Sequence, residues 1–522
     1  MKTDRLLSGA LLYDGSSAPP FEADVLIRDR KILRVAKHAE TVFPSAEVHS
    51  ARGLCLAPGF IDVHGHSDIS ILADPRAFGK ISQGITAEIA GNCGLSVFPV
   101  AGEVREHLQE VYAAYGVPIA WDSFHSYAAA VEARGPAIHL AVLCGHNTLR
   151  AAVLGYSKKE VSPPEVERMK SLLREALRQG AAGFSTGLIY NPGRFSSREE
   201  LLSLMDMLRE FGRPYATHLR SEGDALTEAL EEALELAGAG GGNLQVSHLK
   251  TALPRNHHKL DRVFERIESA RARGLRVHAD RYPYTFSQTS LAMVLPEPFA
   301  LMDDVRIRDV LRGDDSAFRD ALAALEGSSR DWSRVILTQS RVKSIRDCLG
   351  KTLADAARER GVSPAEFCLA LLREDAPGTM AAFGGMSEVN LERILAKNWV
   401  CCGTDESARP PDDSLGRSHP RGFGSFPRFI AMAAKSVPLE EVIRRITSMP
   451  AGFFGLRGRG MIREGYFADM VLFDAEKLDS RADFLHPHRP VEGIRTVFVN
   501  GEVAYSGESG RVSAGNGCIL HP

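Results

Sequence analysis

The sequence predicts an α/β fold: a (β/α)8 barrel of the TIM type, with a small β-sandwich domain assembled from both chain ends. Three observations carry that expectation. Eight short apolar runs alternate with amphipathic helical stretches through the middle of the chain, and such alternation builds a parallel sheet that closes into a barrel. Both chain ends have hairpin texture, and neither has enough strands for a stable sheet of its own. At 522 residues the chain has room for a barrel and an accessory unit.

The N-terminal part, 1–57, alternates strand-like runs with a turn over 5–36. Val25, Ile27, Ile32, Leu33 and Val35 are spaced as in hairpin strands. The C-terminal part, 456–522, repeats the texture in GMIREGYFADMVLFD (460–474) and IRTVFVNGEVAYSG (494–507). Between them, 58–455 is assigned to the barrel. Its candidate strands are GFIDVH (59–64), ITAEIAG (85–91), HLAVLCGH (139–146), AGFSTGL (182–188), YATHLR (215–220), LQVSHLK (244–250), VHADRYPY (277–284) and VCCGTDE (400–406). The stretch 163–180 shows the intervening helices: Val166, Met169, Leu172, Leu173, Ala176 and Leu177 recur with helical period until Gly180 ends the run. About 115 residues separate strands seven and eight, far beyond an ordinary connection. RVILTQS and TMAAF are extra strand-like runs there, so 296–375 is read as an inserted subdomain that caps the barrel mouth.

Composition excludes several classes. The net charge of −3 lacks the basic excess of a nucleic-acid binder. No apolar stretch of about 18 residues is present, so no membrane span is expected. Asp4 and Asp14 interrupt the short apolar run at the N-terminus, which argues against a signal peptide. The eight cysteines form no C-x-x-C pair and read as reduced thiols in a cytoplasmic protein.

The chemistry is expected at the C-terminal ends of the barrel strands. Strand one ends in His64-Gly65-His66, and side chains two apart on a strand share a face, so both imidazoles reach one metal. Strand two runs into Gly91-Asn92-Cys93-Gly94. Strands five, six and eight end in His218, His248 and Asp405. A single strand-end histidine is ordinarily a satisfied structural residue. Four histidines, a cysteine and an aspartate at one barrel face read instead as a metal site, and imidazole with thiolate favours zinc. Asp405 is the candidate general base and acid.

Here the residues meet a known family. PGFIDVHGHSD (58–68) resembles the opening zinc motif of the amidohydrolase superfamily. KISQGIT (80–86), GNCG (91–94), GHNTLR (145–150), GFSTGL (183–188), THLRSEGD (217–224), VSHLK (246–250), DRYPYT (280–285) and HPRGFGSFPR (419–428) look like the D-aminoacylase, or N-acyl-D-amino-acid deacylase, family. Many superfamily members bridge two metals with a strand-four lysine, which AGFSTGL lacks. The resemblance implies that Cys93 bridges instead. It also implies that Cys93, His218 and His248 form a tight zinc site and that His64 and His66 form a second, weaker one. It further implies a small-molecule N-acyl amino acid as substrate, its α-carboxylate held by Lys250, Tyr282 and Arg421, with Tyr284 as an alternative to Tyr282. Lys250 stands two residues after His248 and is expected on the same side of the strand.

Three features depart from the family's pattern. Thr404-Asp405-Glu406 stands where Ser-Asp-Gly is frequent, Gln288 where a small residue is common, and the loop after strand eight is long. No Lys or Arg occurs from Tyr282 to Val305, where Phe286, Leu291, Met293, Val294 and Leu295 stand. A neutral or apolar D-residue is therefore expected in preference to an acidic one, since an unpaired buried carboxylate is costly. Hydrolysis of a cyclic amide, as in hydantoinases, or of a dipeptide with a C-terminal D-residue remains an alternative. A scaffold that has lost its metals is disfavoured by the complete ligand set.

Overall fold

The computed structural model describes residues 4–37, 39 and 45–522. All eight candidate barrel strands are present, each shorter than its apolar run. They are Phe60–Asp62, Ile85–Ala90, His139–Val142 (continued by Cys144–Gly145), Phe184–Gly187, Tyr215–His218, Asn243–Val246, Arg276–Asp280 and Val400–Cys401. Neighbours pair in parallel: strands one to three form one ladder, and a second runs from Cys144–Gly145 to strand eight. An isolated parallel bridge between Gly65 and Glu406 joins the last strand to the first.

The excess length of the runs has a physical cause. Residues past each strand end are apolar or small because they are buried, not because they pair. His64, Cys93, His248, Asp405 and Lys250 all lie in loops beyond their strands. Lys250 does lie beside His248, as expected, but through the path of the loop and not through strand alternation. The sixth strand stops at Val246, and His248 has φ +34°.

The helix expected at 163–180 spans Pro163–Gln179. Ser162 and Glu165 form a capping box at its start, and Gly180 closes it at φ +114°. Strands from both chain ends join one nine-stranded sheet. There Met470–Phe473 pairs with Cys55–Pro58, and Cys55–Pro58 with Arg5–Leu12. Leu7, Leu12, Val25 and Ile27 from the first end share a core with Ile462, Met470 and Phe498 from the second.

Between strands seven and eight, Ser287–Ser290, Val335–Gln339 and Met380–Phe383 make an antiparallel three-stranded sheet. A separate apolar cluster runs from Leu291 to Ala381. Leu291, Val294 and Leu295, expected to border a substrate pocket, are buried in this cluster, whereas Met293 is exposed. Among the described residues no helix is long and apolar enough to cross a membrane.

Candidate metal centre and active site

The donors converge in space. Ligand atoms of His64, Cys93, His248 and Asp405 all lie within 4.8 Å of one another, and so do those of His218, Glu222 and His248. Cys93 Sγ is 3.3 Å from His64 Nε2 and 3.6 Å from His248 Nε2. Asp405 Oδ1 is 3.4 Å from His64 Nε2 and 3.2 Å from His66 Nε2. The His218 and His248 rings meet edge to face, with centroids 4.4 Å apart. Tetrahedral zinc with bonds of 2.0–2.3 Å sets its ligands roughly 3.3–3.7 Å apart. The Cys93–His64, Cys93–His248 and His64–Asp405 edges match, so nitrogen, sulfur and carboxylate donors here fit that ion.

Other side chains aim the donors. Asp280, at the end of strand seven, lies 3.1 Å from His64 Nδ1 and accepts the His248 backbone N–H at 2.8 Å. Gln245 donates to the same carboxylate at 2.9 Å. His64 is thereby turned to present Nε2 to Cys93. Glu222 does the equivalent for His248, its Oε1 lying 2.9 Å from Nδ1, while its Oε2 is 3.5 Å from His218 Nε2. Lys250 is ion-paired with Glu222, and its Nζ is 2.8 Å from His248 Nδ1.

Three of the eight non-glycine residues with positive φ among the described residues lie at the same place. Cys93, His248 and Asp405 hold φ of +55°, +34° and +51°. A non-glycine residue there costs on the order of 1–3 kcal/mol, a penalty that surrounding packing must overcome. Strand four supplies room for the Cys93 turn: a Cβ on Gly187 would lie 1.9 Å from the Cys93 carbonyl oxygen.

The charges follow from this crowding. Burial favours the neutral thiol of Cys93, yet the imidazoles of His64, His218 and His248 hold it well below its ordinary value, as a metal-binding thiolate requires. Burial works against a charged His66, but Asp405 and Cys93 push it up to about 10. His218 is likewise raised to about 9, with Glu222 the strongest influence opposing burial. Asp405 stays well below the usual carboxylate range despite burial, chiefly through Arg421.

The candidate carboxylate clamp sits beside Asp405. Arg421 opens the helix Arg421–Ala433, is buried, and donates to Asp405 Oδ2 at 2.7 Å. Its guanidinium carbon is 4.7 Å from the Tyr282 ring centroid. The Tyr282 hydroxyl and Arg421 Nε are buried with no hydrogen-bond partner among the described residues. Tyr284 differs, because its hydroxyl donates to the Pro420 carbonyl at 3.4 Å. Of the two tyrosines, Tyr282 keeps a donor free.

Sequence reasoning missed Glu222, Asp280 and Lys80. Glu222 stands four residues after His218 in THLRSEGD, and Asp280 opens DRYPYT, so both were in view without a partner to give them meaning. Lys80 is wholly buried. Its Nζ donates to Asp62 Oδ2, Thr404 Oγ1 and the Glu406 carbonyl, each at 2.7 Å, and lies 3.1 Å from Glu88 Oε2. It ties strands one and two to the loop carrying Asp405. The edge strand Ser287–Ser290 was also missed. Gln288 donates to Glu406 Oε2 at 3.1 Å, and nearby the Tyr190 ring centroid is 4.9 Å from that of His218.

The amidohydrolase family model matches residues 47–505. A D-aminoacylase of Alcaligenes xylosoxydans xylosoxydans is 33% identical over 98% of this chain and 97% of its own. A D-aminoacylase solved in a study of its binuclear metal centre, with one-metal activation and second-metal attenuation, superposes with a TM-score of 0.82 at 30% identity, covering 100% of both chains. An N-acyl-D-glutamate deacylase from Bordetella bronchiseptica, complexed with zinc and a phosphonate mimic of the tetrahedral intermediate, gives 0.83 at 30% identity with the same coverage. The chain belongs to the amidohydrolase family, in the group of the D-aminoacylases and N-acyl-D-amino-acid deacylases.

Proposed function

We propose that this chain is a zinc-dependent N-acyl-D-amino-acid deacylase, hydrolysing the amide to a carboxylate and a free D-amino acid. One observation carries the reading: His64, Cys93, His248 and Asp405 bring their donor atoms within 4.8 Å of one another at the top of the barrel. Cys93, His218 and His248 would hold the tighter ion, and His64 and His66, with Cys93 shared, would hold the weaker one. Zinc, when bound, polarises the amide carbonyl and lowers the pKa of its water from 15.7 toward about 7.

The chain's own residues supply the remaining steps. Asp405 takes a proton from the attacking water and delivers it to the leaving nitrogen. Its contact with Arg421 keeps the carboxylate in the basic form beforehand. Arg421 and Tyr282 offer free buried donors for the substrate α-carboxylate, and Lys250 adds a cation at the Glu222 side.

The two compared structures, one from a D-aminoacylase and one from a D-glutamate deacylase, fit equally well, so the side-chain preference must come from local residues. Near the site the edge strand offers Ser287, Gln288, Thr289 and Ser290, all neutral. That supports neutral D-residues as preferred substrates. The domain reading goes with the proposal: a β-sandwich from 1–57 and 456–522, and a barrel from 58–455 capped by the insertion at about 296–375. The nine-stranded sheet and the separate Leu291–Ala381 cluster support it. A cytoplasmic setting would keep the eight unpaired thiols reduced.

The test is kcat/KM, with zinc supplied, for the N-acetyl derivatives of D- and L-leucine, methionine, phenylalanine and glutamate, with hydantoin alongside. The neutral D-substrates should lead. D-glutamate as the best substrate would end the neutral preference, and turnover of hydantoin alone would overturn the reaction class.

A further inference from the structure

A second cluster of nucleophile, base and acid lies at the opposite end of the barrel, where strand three begins. His139 opens that strand and is wholly buried. Its Nε2 is 3.3 Å from Asp469 Oδ1. Asp469 is itself fixed by an ion pair with Arg459 and by the Asn500 backbone N–H at 2.8 Å. The other ring nitrogen, Nδ1, faces the C-terminal tail. Cys518 Sγ lies 3.3 Å from it, and the Cys518 backbone N–H is 3.1 Å away.

The tail is held by backbone bonds of its own. Leu140 donates to the Cys518 carbonyl at 3.1 Å and Leu520 to the Leu140 carbonyl at 2.7 Å. Anchoring the tail therefore does not require the sulfur. Both Asp469 and Arg459 Nη1, the latter 3.0 Å away, face Nε2; the Cys518 backbone N–H can only donate, so it marks Nδ1 as the nitrogen that carries the lone pair, and the thiol lies beside the same atom. A thiol beside a base that a carboxylate orients is the arrangement that activates a nucleophile. Exposure separates this thiol from the rest: Cys518 is partly exposed, whereas the other seven cysteines are buried.

We propose that Cys518 is an activated thiol, with His139 as its base and Asp469 orienting the base, and that it is a modification site for small electrophiles, peroxides above all. His139 Nδ1 takes the thiol proton. The sulfur attacks one peroxide oxygen, so the S–O bond forms as the O–O bond breaks. The departing hydroxide takes the proton from the imidazolium and leaves as water. Sulfur is oxidised by two electrons to a sulfenic acid, and the peroxide is reduced. Three charged groups face the thiol. Burial and Asp469 oppose the thiolate, but His139 and Arg459 outweigh them and hold it below the ordinary value.

The test uses the zinc-supplied full-length enzyme. Iodoacetamide alkylation is followed at each cysteine by peptide mass spectrometry from pH 6 to 10, with the urea-unfolded chain as the ordinary-thiol reference. Cys518 should be labelled first, with an inflection below the ordinary value of about 8.5. At pH 7, H139Q should slow it about tenfold, with the two rates converging at high pH. Hydrogen peroxide followed by dimedone should tag the same peptide. C518S should abolish both signals and leave deacylase activity unchanged. A folded-state inflection equal to that of the unfolded chain, or labelling of Cys518 no faster than of the buried cysteines, overturns the proposal whether or not H139Q folds.

Discussion

Arg421 Nη1 donates to Asp405 Oδ2 at 2.7 Å, so the candidate carboxylate clamp and the candidate proton shuttle already form a buried ion pair without substrate. A substrate carboxylate entering at Arg421 would share that guanidinium with Asp405. Binding and the basicity of Asp405 are then coupled through one side chain. Arg421→Ala should cost about 2–4 kcal/mol in kcat/KM, as loss of a partner to a buried charge does. The same change should matter far less for an analogue whose α-carboxylate is an amide. Equal losses on both substrates would argue against the clamp.

The pair also predicts a pH effect. Burial alone would raise the Asp405 carboxyl, and Arg421 is the strongest influence holding it down. Removing Arg421 lets burial win, so Asp405 protonates at higher pH and loses its function as a base there. The acidic limb of the kcat/KM profile of Arg421→Ala should therefore move to higher pH. An unshifted limb would show that the metal residues alone set the charge of Asp405.

Asp405→Asn should lower kcat by about 10²–10⁴-fold while zinc content stays near that of the wild type. Cys93→Ala should do the reverse: it removes the sulfur shared between His64 and His248, so the tight zinc and the activity should vanish together. Metal analysis alongside kinetics separates the two variants. Full zinc and full turnover in Cys93→Ala would sink the bridging role.

Glu406 is buried one residue after Asp405 and accepts from Gln288 at 3.1 Å, with Arg421 Nε 4.0 Å away. A carboxylate so placed disfavours a second one on the substrate side chain. Glu406→Gln should raise the kcat/KM ratio of N-acetyl-D-glutamate to N-acetyl-D-leucine by about tenfold, or roughly 1.4 kcal/mol. An unchanged ratio would move the specificity determinant elsewhere.

Among the described residues, Lys80 is the one cation ion-paired with Asp62 and Glu88, and all three are wholly buried. Lys80→Met strands both carboxylates and should destabilise by about 3–5 kcal/mol. Lys80→Met combined with Glu88→Gln should recover part of that loss. Urea midpoints compare the three proteins, and a single variant as stable as the wild type would contradict the account.

The barrel was legible because its signals are local. An apolar run such as ITAEIA and a periodic helix such as 163–179 declare themselves within a dozen residues. The metal donors were legible for a related reason: histidines, a cysteine and an aspartate recur where runs end, and the barrel rule sends all run ends to one face. Run lengths misled, because burial extends past hydrogen bonding, and so His248 and Asp405 were read as strand residues.

What only the tertiary structure decided is how distant side chains meet. Glu222 gains its role from His248 and Lys250 a few residues beyond the next helix, Asp280 from His64 across the barrel, and Lys80 from Asp62, Glu88 and Thr404. The choice of Tyr282 over Tyr284 rests on which hydroxyl already has a partner. The run from Leu291 to Leu295 changes meaning for the same reason: its apolarity was visible in the sequence, but the core it fills was not. A charge or an apolar side chain carries no address. Its partner is set by chain closure over tens to hundreds of residues, which no local pattern records.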